Sequence, residues 1–184
     1  MPSILGISGS LRRQSFNAAL LRAAVKAAPP GTTIEIGSIA GIPLYDGDVE
    51  AQGIPATVTA LKQRVKACDG LLLVTPEYNN SIPGVFKNAI DWLSRPPSES
   101  KSIFGGRPVA VMGASPGPFG TILAQQAWLQ VLRTLGTRPW FGARLQVAHA
   151  DQVFDAQGEL IDDKVRAQLA DFIRGFSVAI GGQS

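Results

Sequence analysis

Gly70-Leu71-Leu72-Leu73-Val74-Thr75-Pro76-Glu77-Tyr78-Asn79-Asn80-Ser81-Ile82-Pro83-Gly84 is the stretch on which the fold turns. It begins with four consecutive aliphatic side chains and no polar alternation. A strand with one wet face alternates, so an unbroken run implies a strand covered on both faces, at the centre of a parallel sheet. The chain then leaves through a loop stiffened by two prolines. Pro83 suits the first turn of a helix running to Leu93.

The same strand, loop, helix pattern repeats on either side. Upstream, Ser3–Ser8 reads as a first strand. Residues 15–28 follow as a helix with Phe16, Leu20, Leu21, Ala24, Val25 and Ala28 on one face, stopped by Pro29-Pro30-Gly31. Residues 32–36 read as a second strand. A Gly/Pro-containing loop through Ile42-Pro43-Leu44-Tyr45 leads to a helix over 56–67, with Val58, Leu61 and Val65 spaced for burial. Downstream, residues 107–114 form a fourth strand around Val109-Ala110-Val111-Met112. A helix over 119–135 follows with Gly136 as its C-terminal cap, and 138–148 supply a fifth strand. Asp162-Asp163 open a last helix whose core stripe is Val165, Leu169, Phe172, Ile173 and Phe176. Five strands alternating with five helices predict one flavodoxin-like α/β domain over 1–184, a doubly wound sheet in the order 2-1-3-4-5.

Composition narrows the function. With 45% hydrophobic residues and no apolar run of bilayer length, the chain is an ordinary globular protein, expected in the cytoplasm because its first residues lack a secretory pattern. Cys68 is the single cysteine, so an internal disulfide and a thiolate metal cluster are excluded, and a buried structural thiol is expected. The net charge of +3 comes from scattered lysines and arginines, which argues against nucleic acid as a partner. A mildly basic surface favours anionic small molecules. His149 is the only histidine, which excludes a histidine-rich metal site, and Gly6-Ile7-Ser8-Gly9-Ser10 is not a hydrolase elbow.

In a doubly wound sheet, ligands bind beyond the carboxyl ends of the strands near the switch point. Three loops lie there. The first, Gly9-Ser10-Leu11-Arg12-Arg13-Gln14-Ser15-Phe16-Asn17, places amides, hydroxyls and a guanidinium at a helix N-terminus, the chemistry that binds phosphate. Alternatively, Ser15 only caps the helix while the arginines are solvated. The second, residues 75–84, offers Tyr78 and the polar groups of Glu77 and Asn79 to a flat heterocycle, or is a plain turn with Tyr78 in the core. The third, residues 113–120, carries glycines that let amides approach a ligand, or is a bare helix entry. Trp92 and Trp128 are candidates for core or for a subunit interface.

Taken together, Gly9-Ser10-Leu11-Arg12 with Ser15-Phe16-Asn17, Thr75-Pro76-Glu77-Tyr78-Asn79 with Ser81-Ile82-Pro83-Gly84, and Lys87-Asn88-Ala89-Ile90-Asp91-Trp92 resemble the NADPH-dependent FMN reductase family, nearest its bacterial quinone and chromate reductases. The resemblance extends through Ile42-Pro43-Leu44-Tyr45-Asp46 and the 154–160 turn. It implies FMN as cofactor, NADPH or NADH as co-substrate, a small-molecule electron acceptor (a quinone, chromate, an azo or nitro compound, or free flavin), and a homodimer or homotetramer. It further implies that Ser10, Arg12, Ser15 and Asn17, with Phe16 beside them, hold the FMN phosphate. Pro76, Glu77, Tyr78 and Asn79 would border the isoalloxazine, and Ser115 to Gly117 its other edge. No protein residue is expected to act as acid, base or nucleophile, since the flavin carries the chemistry. A flavodoxin-like electron carrier and a non-redox FMN-binding module are the competing readings. The mildly basic charge speaks against a carrier that docks basic partners.

Overall fold

The apolar run at residues 71–74 is the middle of the sheet. In the computed structural model, which describes residues 1–182, β3 (Gly70–Val74) is buried throughout and pairs in parallel with β1 (Ser3–Ser8) and β4 (Pro108–Ala114). β2 (Thr33–Gly37) lies outside β1, and β5 (Arg138–Pro139) outside β4, giving the order 2-1-3-4-5. The run has no polar alternation because successive side chains serve two different cores. Leu72 and Val74 point with Ile4, Ala110 and Met112 into one core, beneath α1 (Phe16–Lys26) and α8 (Asp163–Gly181). Leu71 and Leu73 point with Leu5, Ile7 and Val109 into the other. That core lies under α3 (Ala56–Ala67), α4 (Gly84–Leu93), α5 (Pro97–Phe104) and α6 (Ile122–Thr134).

Several elements depart from the sequence expectation. The loop after β2 contains a short α2 (Gly47–Ala51), capped by the Asp46 carboxylate, which accepts from Asp48 N–H at 2.9 Å. Five residues with nothing buried give no periodic signal. α5 was missed because its burial rests only on Ile103 and Phe104. α6 begins at Ile122, since residues 116–121 stay in turns. The predicted fifth strand is two fragments: after β5 the chain leaves the edge and returns as β6 (Gln146–Val147), then makes α7 (Ala150–Val153). Val25, expected on the buried face of the first helix, is 37% exposed.

Trp92, Trp128 and Phe86 are fully buried within the single chain. Their place is the core, which removes them as interface residues. Phe86 meets Trp128 edge to face at 4.9 Å, and each indole N–H has a partner. Trp128 Nε1 donates to Thr75 Oγ1 at 3.1 Å and Trp92 Nε1 to the Pro43 carbonyl at 2.9 Å. The second bond, with Asn88 donating to the same carbonyl and accepting from Tyr45 N–H, fastens the loop after β2 to α4. Cys68 is part-buried, and burial pushes its thiol pKa up, consistent with a structural role.

Candidate functional site

β1, β3 and β4 end side by side, so the loops that leave them meet above the sheet. The first leaves β1 at Gly9, whose N–H donates to Val74 C=O at 2.9 Å. A Cβ at Gly9 would sit 2.1 Å from the Phe86 ring. Only glycine lets the loop turn this close to the core. Ser15 caps α1, its Oγ accepting from Ala18 N–H at 3.2 Å, and Ser10 Oγ accepts from Arg12 N–H at the same distance. Among the described residues, the N–H groups of Leu11, Arg13, Gln14, Phe16 and Asn17 have no protein acceptor. Arg12 makes no ion pair and lies 5.3 Å from the centroid of Phe16, itself stacked on Phe154. Unpaired amides, a free guanidinium and the positive end of a ten-odd-residue helix fit a phosphate. Ser8 Oγ, at the end of β1, is buried without a partner.

Asn17, which the resemblance places at the FMN phosphate, also bonds within the protein. Its Oδ1 accepts from Ala114 N–H at 2.9 Å and its Nδ2 donates to Ala114 C=O at 2.8 Å. This buried residue joins the start of α1 to the end of β4, and so sets the first loop against the third.

The second loop is a miniature hairpin. Tyr78 and Ser81 exchange N–H to C=O bonds of 3.1 and 3.0 Å, and Asn79 and Asn80 between them have φ of 48° and 61°. Two left-handed residues in a row make a primed turn, which asparagine tolerates better than most side chains. The Asn79-Asn80 pair was the sequence signal for it. The turn lifts Tyr78 to 47% exposure, so Tyr78 is not core, while Pro76 is buried. Asn79 is exposed at the tip. Glu77 faces sideways: its Oε2 accepts from both Leu123 N–H and Ala124 N–H at 2.9 Å. Thr121 at the N-cap position of α6 makes no side-chain capping bond, so Glu77, from 46 residues away, caps that helix.

The third loop is held from beneath by the strand return. Ser115 N–H donates to Val147 C=O and His149 N–H to Gly117 C=O. The Ser115 hydroxyl is spent inside the loop on Gly120 C=O at 2.5 Å. Apart from the exposed Phe119 ring, what the loop offers a ligand for hydrogen bonding is therefore backbone. Gly117 N–H has no acceptor among the described residues, and a Cβ there would meet only Ser115 Oγ, at 3.8 Å.

A phosphate cradle, a raised aromatic ring and a free amide at the ends of three adjacent parallel strands suit one flat, phosphorylated cofactor. The profile described as NADPH-dependent FMN reductase matches residues 2–152. The chain belongs to this family. An NAD(P)H-dependent FMN reductase of Pseudomonas aeruginosa is 49% identical over 163 residues, covering 89% of this chain and 86% of its own. A quinone reductase of Escherichia coli is 40% identical over 180 residues and 92% of each chain. In three dimensions, the flavoenzyme NAD(P)H:acceptor oxidoreductase FerB of Paracoccus denitrificans superimposes with a TM-score of 0.88 at 33% identity, covering 99% of this chain and 98% of its own. This FMN reductase family member is thus a flavodoxin-like oxidoreductase with FMN as its cofactor and NAD(P)H as its electron source. Among the described residues no helix is long and apolar enough to cross a membrane, and no group of His, Cys, Asp or Glu could hold a metal ion.

Proposed function

We propose that the protein reduces quinones and similar flat acceptors at the expense of NAD(P)H. Bound FMN would supply the redox chemistry between the nicotinamide and the acceptor. The residues of this chain bind and orient. Arg12, Ser10 and the free amides of the first loop hold the phosphate, Tyr78 and Asn79 flank the ring, and Gly117 N–H faces its far edge. Pro76, Glu77, Asn17 and Ser115 keep these loops in place. The observation that carries the reading is the open rim: Leu11, Tyr78 and Phe119 are 55%, 47% and 75% exposed. An uncovered apolar rim suits substrates that enter, leave and replace one another over one surface. The kinship with quinone reductases adds weight to quinones among the acceptors.

The same rim suits a second subunit, and a homodimer with its boundary beside the flavin is the assembly we expect. Sedimentation showing only monomer at micromolar concentration would count against it. The cytoplasm suits a chain whose single Cys68 can form no internal disulfide. Steady-state oxidation of NADPH and of NADH against a panel of quinones, chromate, azo and nitro compounds and free FMN tests the activity. Purified protein that binds FMN yet passes no electrons from either nicotinamide to any of these would refute it.

A further inference from the structure

A groove of about 320 Å³ runs on from the first loop, between α1 and the turn that follows α7. Ser15 at the cap of α1, with Ala19 and Arg22 within it, stands at spacings of four and three and so forms one stripe along the near side. Residues 154–158 line the far side. That turn is bonded to itself: the Asp155 carboxylate accepts from Gln157 N–H at 2.9 Å and from Glu159 N–H at 2.8 Å. Lys26 ties it to α1 through an ion pair of 2.5 Å with Glu159.

The charge of the groove is out of balance. Arg12, Arg13 and Arg22 all border it, and none of them forms an ion pair among the described residues. Asp151 and Asp155 border it too, yet Asp155 Oδ1 is taken up by its own turn. Arg22 is exposed and lies over Gly158, whose φ of 77° and missing Cβ leave room for the guanidinium. The phosphate of FMN accounts for Arg12. Two more guanidiniums beside the same groove call for more negative charge than one phosphate brings.

FMN has one natural extension at its phosphate, which is AMP, and the product is FAD. Its second phosphate matches the free Arg13 and Arg22. Its ribose diol offers donors to Asp151, the way carboxylates hold ribose hydroxyls in other dinucleotide sites. Ala19, and Phe16 stacked on Phe154, give the groove apolar surface for a flat base. Small-molecule sites start at about 300 Å³, so the volume suffices. We propose that the protein binds FAD as well as FMN, the AMP half occupying this groove, and that Arg22 decides how well. The inference rests on the FMN site proposed at the first loop.

The test is a flavin exchange on the full-length protein. FMN-loaded wild type and Arg22→Ala are equilibrated with an excess of FMN and FAD in equal amounts, freed of unbound flavin, and the bound flavins are separated and quantified. Wild type is expected to retain FAD at least as readily as FMN. Arg22→Ala should shift the ratio about tenfold or more toward FMN, through loss of a charge-assisted bond, while its dissociation constant for FMN alone stays that of wild type. Since Arg22 is exposed and has no protein partner among the described residues, the variant should also keep the wild-type melting temperature. Wild type that binds FAD more than about tenfold more weakly than FMN would overturn the inference and leave the FMN site standing. An unchanged ratio in Arg22→Ala, or an equal loss of both flavins, would overturn it as well. Protein that retains neither flavin would remove the FMN site and this inference together.

Discussion

Glu77 illustrates how a side chain in a binding loop can work away from the ligand. Its carboxylate is committed to two N–H groups of α6, so removing it frees the helix end that follows the third loop. Glu77→Ala should cost about 0.5–2 kcal/mol, the usual worth of a cap, and lower the urea midpoint accordingly. The rate of flavin reduction is a separate matter. Neither Glu77 nor Tyr78 is needed as an acid or base, because hydride transfer moves no protein proton. Glu77→Gln and Tyr78→Phe should therefore each retain flavin reduction by NADPH within about a thousandfold in stopped-flow measurements, short of what losing a general acid or base can cost. A larger loss with FMN still bound would show that one of them handles a proton. Arg12 bears on binding instead. Free of any carboxylate, it is available for a charge-assisted bond to phosphate worth about 1.5–3 kcal/mol, so Arg12→Ala should weaken FMN roughly ten- to a hundredfold by fluorescence titration. Unchanged affinity would remove it from the site.

At the level of elements, the first and third loops are joined before any cofactor arrives. Asn17→Ala would leave the buried N–H and C=O of Ala114 without partners, at about 1–3 kcal/mol for each orphaned group. The expected result is a clear fall in unfolding midpoint together with weaker FMN binding. A variant as stable as wild type would mean that α1 and β4 are held by packing alone. The elements legible in the sequence were those with a strong period or an unbroken apolar run. β3 and α3 lie within a residue of their predicted bounds, and α8 starts where Asp162 caps it. Those missed had neither signal. α2 buries nothing, α7 is a single turn after the left-handed His149, and the fifth strand could not be seen to split because Trp140 and Phe141 read locally as strand residues. Of the site, the three loops and their order were legible, since strand ends fix them. The roles of Asn17 and Glu77 were not, because their partners lie 97 and 46 residues away and only the folded chain brings them within reach.

For the molecule as a whole, acid stability depends in part on how the N-terminal strand is anchored. The Asp69 carboxylate accepts from Ser3 N–H and from Ser3 Oγ, both at 2.8 Å, and these bonds hold its pKa below the usual carboxylate value. A depressed folded pKa means stabilisation that is complete above the unfolded value of about 3.9 and is lost as pH falls through the folded one. Asp69→Asn should therefore be less stable than wild type at pH 7, and the gap should narrow progressively below about pH 4 in urea titrations. A gap independent of pH would assign the effect to geometry alone. The broken outer edge has a consequence for solubility. A doubly wound sheet ends in strands whose free N–H and C=O groups invite other sheets to add on without limit. Here the row of groups is cut after two residues by the excursion through Phe141, and what remains is a short, interrupted edge. An edge that short offers an added strand little to bond with, so a concentrated solution of the protein should stay free of ordered fibres.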